Sequence, residues 1–374
     1  MSDSAATGTR VISGAVSESA SVTTAYRALW VAVAFDLLAF GIGFNWDRQW
    51  HQSHPFEDFF SPPHLFIYTM HFLASITLAY VAFTPPLRAV FGPAFRLFPL
   101  PFPVPGPIAL AGGGFVVTAL AGVFDAIWHT AFGLDETGWS FPHSMLGAGI
   151  FVAFVGIAAC RWALREVRPI GIGSEIVFGF LLIATAGERF TGPLGTNLSP
   201  GFIEFVAQIP VLAAEPAFQH TVRIELAYNI DRLNPLWLPL EAISGGMALV
   251  LVRSFVSRTA IFVALTAVAT WLTKFVAFLA PGIVLAAGPA PSRARWLAAG
   301  AAFVIATALI WKSIPGAALL GILLFPVGAW LGQLIWSVVE RPTRRGVLSF
   351  VMLAGIVYPA TTGIVDLSLR ARVP

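Results

Sequence analysis

Residues 63–83 read PHLFIYTMHFLASITLAYVAF, from Pro63 to Phe83, without one Asp, Glu, Lys or Arg. A helix of about 21 residues rises about 30 Å, the thickness of a bilayer's hydrocarbon core. The run opens on Pro-His, and Pro suits the first position of a helix because its missing N–H would have no partner there. The stretch therefore reads as a membrane helix with a histidine in its first turn.

Composition extends that reading to the whole chain. Of 374 residues, 57% are apolar and only 11% charged, with 32 Phe and 12 Trp; soluble domains carry about 25% charge. The chain is expected to be an all-α, polytopic transmembrane helix bundle. Spans fall at about Tyr26 to Phe44, Pro63 to Phe83, Ile108 to His129 and Pro142 to Ala163. In the second half they fall near 173–190, 235–253, 259–287, 296–312, 315–338 and 346–366, giving about ten. Residues 1–25, rich in Ser, Ala, Thr and Gly, read as a disordered arm. The prolines between Pro85 and Pro107 exclude regular helix over most of that connector. The link Arg165-Glu166-Val167-Arg168-Pro169 divides a four-helix half, 26–164, from a second transmembrane half, 165–374, which holds a long polar outer segment, 191–234.

Arg10, Arg27, Arg88, Arg96, Arg161, Arg165 and Arg168 fall on one side of the first four spans. The opposite loops carry Arg48 with Glu57, Asp58, Asp135 and Glu136. Because short cytoplasmic loops collect the basic residues, the N-terminus is expected inside, in a bacterial inner membrane. A net charge of +3 without a basic block leaves no surface for nucleic acid. The single Cys160 lies in an apolar run and reads as a small buried hydrophobe.

The Pro-His start belongs to a pattern that occurs twice. Asp47-Arg48-Gln49-Trp50-His51 is followed by Ser61-Pro62-Pro63-His64, and Asp125-Ala126-Ile127-Trp128-His129 by Ser140-Phe141-Pro142-His143. An Asp and a His four residues on share one helix face, and the Pro-His histidine starts the next helix. Each helix hairpin can so gather one carboxylate and two imidazoles, a set that suits Cu(II), Zn(II) or Fe(II). The candidate metal ligands are Asp47, His51, His64, Asp125, His129 and His143. Both motif helices run in the same direction, so the repeat is parallel, with its sites toward the outer face. A lone Asp or His near a membrane interface is often only a hydrogen-bonded polar residue; the repetition of types and spacing argues for metal.

These residues resemble the C subunit of the copper membrane monooxygenases, the family of particulate methane, ammonia and short-alkane monooxygenases. In that subunit an Asp, a His four on and a His thirteen further bind copper, intervals that Asp47, His51 and His64 reproduce. A second site there uses an Asn, a His four on and a His fourteen further; Asp125, His129 and His143 keep the intervals and replace Asn with Asp. The resemblance covers residues 26–163 and leaves the second half unmatched. It implies a copper site, and an oxidoreductase acting with O2 on a small hydrophobic substrate or ammonia. Other membrane subunits or a homo-oligomer are expected as partners, and, with no flavin, haem or nicotinamide signature in the sequence, electrons are expected from a quinol or a protein donor. The alternative is a non-catalytic membrane protein that binds or handles a metal.

Other polar residues are candidates for supporting roles. Asp36 and Lys274 lie mid-span; Asp36 reads either as a proton relay or as a hydrogen bond to a neighbouring helix. His71, seven residues after His64, reads as a partner behind the metal ligands or as a packing residue. His54 and His220 read as solvated.

Overall fold

The computed structural model describes residues 4–51, 60–132, 140–186, 237–273, 276–288, 292–311 and 316–370. Helix dominates it. Helix α1, Ser4–Leu38, passes through a π-helical turn, Ala39–Gly43, into the short α2, Phe44–His51. Then follow α3, Pro62–Phe83; α4, Pro85–Arg88; α5, Gly106–Phe132; α6, Phe141–Ala163; and α7, Ile172–Ala184. The second half contributes α8, Trp237–Phe255; α9, Thr259–Thr273; α10, Leu279–Ala286; α11, Arg293–Trp311; α12, Gly316–Glu340; α13, Arg344–Met352; and α14, Tyr358–Arg370.

Among the described residues, seven helical stretches are long and apolar enough to cross a membrane. They are Ala20–Asp47, Pro62–Phe83, Gly106–Trp128, Phe141–Ala163, Arg293–Ile310, Leu319–Glu340 and Arg344–Ile364. The first four overlie the four spans expected in the N-terminal half. Departures concentrate elsewhere. Residues 259–287, expected as one span, are divided into α9, a 3₁₀ turn at Val276–Phe278 and α10. Pro281 has no N–H for a bond back to residue 277, and its ring crowds that carbonyl, so the helix restarts just ahead of it. At the N-terminus, the segment expected as a disordered arm is helical from Ser4. It contains no proline, and Gly8 and Gly14 each cost a helix only about 1 kcal/mol relative to Ala. The polar segment 191–234 lies outside the described residues.

The proline-rich connector is not helical for most of its length, as expected, yet it is ordered. After α4 and a 3₁₀ turn at Ala89–Phe91, Ala94–Arg96 pairs antiparallel with Pro103–Pro105, in the register Ala94↔Pro105, Phe95↔Val104 and Arg96↔Pro103. A two-stranded ribbon has only edge strands, where proline's missing donor is tolerated.

Glycine sets how closely the bundle packs. A Cβ on Gly114 would lie 2.1 Å from the Ala153 nitrogen, and one on Gly156 would lie 2.1 Å from the Ala111 nitrogen, so α5 and α6 meet backbone to backbone. In the second half Gly246 and Gly328 do the same for α8 and α12, against Phe325 and Ile243. Small residues serve this purpose in membranes, where lipid is as apolar as Leu and van der Waals contact must drive association. One apolar core runs through both halves: Trp30 meets Phe178 edge-on at 5.5 Å, and Trp162 meets Trp336 at 4.7 Å. Arg161, counted with the loop cations from sequence, is buried. It donates to Ser174 Oγ at 3.0 Å and to the carbonyls of Arg168 and Pro169 at 2.9 and 2.7 Å, pinning the charged link.

Candidate metal centre

The first hairpin builds its site where α2 ends and α3 begins. Extended backbone at Ser61 (φ −55°, ψ 150°) precedes two prolines, so α3 starts at Pro62 and His64 is its third residue. The Leu65 N–H donates to the Ser61 carbonyl at 2.9 Å, closing the first turn. This fixes the imidazole against α2, and His64 Nε2 lies 3.1 Å from Asp47 Oδ1. Both side chains are largely shielded, His64 21% and Asp47 16% exposed. Tyr68, one turn on along α3, has its ring 5.7 Å from that of His64, and Trp46 meets Phe66 at 6.1 Å.

The second hairpin follows the same steps. Ser140 (φ −51°, ψ 151°) precedes Phe141 and Pro142, and His143 is the third residue of α6. The Ser144 N–H donates to the Ser140 carbonyl at 3.0 Å. His143 Nδ1 lies 3.6 Å from Asp125 Oδ1 and 3.1 Å from Ser140 Oγ. Two differences stand out: the first site turns Nε2 toward its carboxylate and the second Nδ1, and the second has the Ser140 hydroxyl on its imidazole nitrogen, whereas Ser61 Oγ has no hydrogen-bond partner among the described residues.

Of the six ligands expected from sequence, the structure thus brings together Asp47 with His64 and Asp125 with His143. His51 ends α2 and His129 lies in α5, each four residues after its Asp on the same helix. Their side chains lie outside the described residues, as do His54, His220 and Lys274. Among the described residues no group of three His, Cys, Asp or Glu side chains gathers as a metal site.

No protein-family model, curated protein or solved structure matches this chain.

The donor chemistry can be tested on the geometry alone. Two donors each about 2.0–2.2 Å from one metal ion lie roughly 2.8–3.6 Å apart at bond angles from about 90 to 110°. Separations of 3.1 and 3.6 Å fall in that interval. An imidazole nitrogen with a carboxylate oxygen is also a donor set that zinc, copper and iron accept. An imidazole–carboxylate hydrogen bond has the same spacing, so the described pairs fit a metal without requiring one.

Sequence reasoning weighed Asp36 and His71 separately and did not join them. In the structure His71 Nδ1 lies 2.8 Å from Asp36 Oδ1, and Asp36 is completely buried. The available signal was spacing: Asp36 precedes Asp47 by eleven residues and His71 follows His64 by seven, each close to a whole number of helical turns. A buried cluster at the start of α7 carried no such signal. There Glu175 accepts from the backbone N–H and hydroxyl of Ser257 at 2.9 and 2.5 Å and pairs with Arg258 at 3.1 Å.

Proposed function

We propose that this chain is a copper protein of the bacterial inner membrane with about ten spans, and that it serves as a component of a membrane monooxygenase acting with O2 on a small hydrophobic substrate or ammonia. The observation that carries the reading is the pairing of each motif Asp with the Pro-His histidine of its own hairpin, at 3.1 and 3.6 Å. In this reading the two hairpins are parallel repeats, the N-terminus is cytoplasmic, and both sites face outward.

Asp47, His51 and His64 would hold one ion, and Asp125, His129 and His143 the other. Copper bound there would supply one-electron redox chemistry and a place for O2 to bind. The protein's own part is to orient and to shield. Each Asp offsets cationic charge at the end of its helix, and each Pro-His turn holds an imidazole in place from the facing helix. Trp46, Phe66 and Tyr68 reduce water access to the first site, and Phe124 with Phe141, edge-on at 5.5 Å, lies beside the second. The carboxylate at position 125, where the resembling family carries Asn, adds a negative charge that favours a more oxidised or more highly charged ion. Electrons would come from a quinol or a partner protein.

The test is elemental analysis and electron paramagnetic resonance on detergent-purified protein, beside His51→Ala, His64→Ala, His129→Ala and His143→Ala. About one or two coppers per chain, with each substitution removing copper and altering a nitrogen-ligated Cu(II) signal, is the expected result. Absence of metal from every sample, or zinc alone, overturns the copper reading. Copper without O2-dependent substrate oxidation leaves the second reading, a protein that stores or hands on the metal.

A further inference from the structure

Asp36 and His71 belong to neither candidate site, and both lie within spans, on α1 and α3. His71 Nδ1 and Asp36 Oδ1 share a hydrogen bond at 2.8 Å; Asp36 is 0% exposed and the His71 side chain 12%. The other polar atom of each, Asp36 Oδ2 and His71 Nε2, is shut off from water and has no hydrogen-bond partner among the described residues. Aromatic rings line the place. Phe115 lies 4.7 Å from the imidazole and Phe40 6.0 Å, with Phe154 edge-on to Phe40 at 5.1 Å.

In neutral water these two groups carry one net negative charge, from an ionised carboxylate beside a neutral imidazole. A lone charge in such an apolar setting costs several kcal/mol unless a cation answers it. Among the described residues none stands near in sequence on the elements packed around the pair. On α1 the nearest basic residue is Arg27, nine positions before Asp36, and the next acidic residue along the chain is Asp47 on α2, eleven after. On α3 the only other titratable groups are His64, seven before, with Tyr68 and Tyr80. Helix α5 presents Phe115, and its Asp125 is ten positions on. Helix α6 presents Phe154, with His143 eleven before it, Cys160 six after and Arg161 seven after, the last already bonded to Ser174, Arg168 and Pro169.

We infer that Asp36 and His71 form a proton-holding pair that keeps one proton beyond the one in their hydrogen bond, on His71 Nε2 or on Asp36 Oδ2, so that the pair is neutral overall. The two atoms without partners are the two places where this proton can sit. A proton is also the guest that two sealed atoms can take up without a cavity, whereas a metal ion would need a third ligand, and no such group of three forms among the described residues. The pair lies seven residues from His64 on α3, about 10 Å along the helix axis, which places a proton reserve beside the first candidate site. Holding the proton follows from burial alone; service to a reaction at His64 rests on the function proposed above.

The experiment therefore uses metal-free, full-length protein in lipid vesicles at about pH 8, above the ordinary range of both groups. Imidazole nitrogens are observed by ¹⁵N-histidine magnetic resonance, with His71→Gln assigning the signal, and protonated carboxyl groups by infrared spectroscopy, with Asp36→Asn assigning the band. The expected result is one of two neutral arrangements: His71 protonated on both nitrogens, or a protonated-carboxyl band that Asp36→Asn removes. A bare His71 Nε2 together with an ionised Asp36 at that pH overturns the inference. Should Asp36→Asn not fold, His71→Gln tests it alone, because an isolated Asp36 must then show the protonated-carboxyl band; an ionised carboxylate in that variant is equally fatal. A proton present in metal-free protein that never binds copper would leave this inference standing and remove the proposed function.

Discussion

The two hairpins of the N-terminal half reach nearly the same end by different means. Helices α5 and α6 touch through glycine, backbone to backbone at Gly114 and Gly156, and α6 is buried along almost its whole length. Helix α3 instead turns Leu65, Phe72, Ile76, Tyr80 and Phe83 outward, and is joined to α1 by the Asp36–His71 bond. Each arrangement leaves a carboxylate beside an imidazole where its helices turn, at 3.1 and 3.6 Å. The comparison teaches that the site's position is secured by shape in one hairpin and by a buried polar bond in the other, and substitution should tell them apart.

The largest effect is expected at Gly156. A leucine there must place its Cβ where the Ala111 backbone now lies, 2.1 Å from its nitrogen, and neither helix can yield without unpacking the other. Overpacking typically costs about 1–3 kcal/mol, and a backbone-to-backbone contact belongs at the upper end. Gly156→Leu should sharply lower the unfolding temperature followed by circular dichroism in detergent. Gly41→Ala, whose added Cβ meets nothing within 4 Å, is the control. Equal behaviour of the two variants would refute backbone contact as the organising feature of α5 and α6.

Next in size is the polar bond. His71→Leu strands the Asp36 carboxyl in an apolar place, at a cost of about 1–3 kcal/mol. The double variant Asp36→Leu/His71→Leu should recover most of that stability, because replacing both partners by apolar groups of similar shape is close to neutral. A double variant no more stable than the single one would show that α1 and α3 depend on the bond itself.

What could be read from sequence, and what could not, divides along physical lines. Uncharged runs such as residues 63–83 announce membrane helices because the bilayer demands length and apolarity from each segment separately. The Asp-x₃-His and Pro-His spacings place residues within one helix or at one turn, which local geometry fixes, and α3 and α6 start just after Ser61 and Ser140. Features that depend on a second helix stayed hidden. Asp36 and His71 each had a legible helical position, but their meeting requires the crossing of α1 over α3. The close contact of Gly114 with Ala153 depends on the partner helix, and the span expected at Ile108 to His129 carried no sign of it. The run 259–287 was expected as one span on its apolarity, which says nothing of the interruption between α9 and α10.

The smallest and most discriminating test lies in the serines that start the two helices. Ser140 Oγ is 3.1 Å from His143 Nδ1, whereas Ser61 Oγ, 6% exposed as a residue, has no hydrogen-bond partner among the described residues. Partners that orient a ligating imidazole typically contribute 10–100-fold in metal affinity. Nδ1 cannot both bond Ser140 and bind the ion that Asp125 approaches, so the hydroxyl either holds Nδ1 and leaves Nε2 for the metal, or gives way when metal arrives. In the first case Ser140→Ala weakens metal binding by about 10-fold, measured by competition with a chelator; in the second it strengthens binding, because a competing bond is gone. Ser61→Ala should change neither site by more than about 2-fold, since its hydroxyl bonds to none of the described residues. If both serine variants leave affinity untouched, the contrast between the two sites is one of packing alone, and the hydroxyl at Ser140 is merely filling the turn.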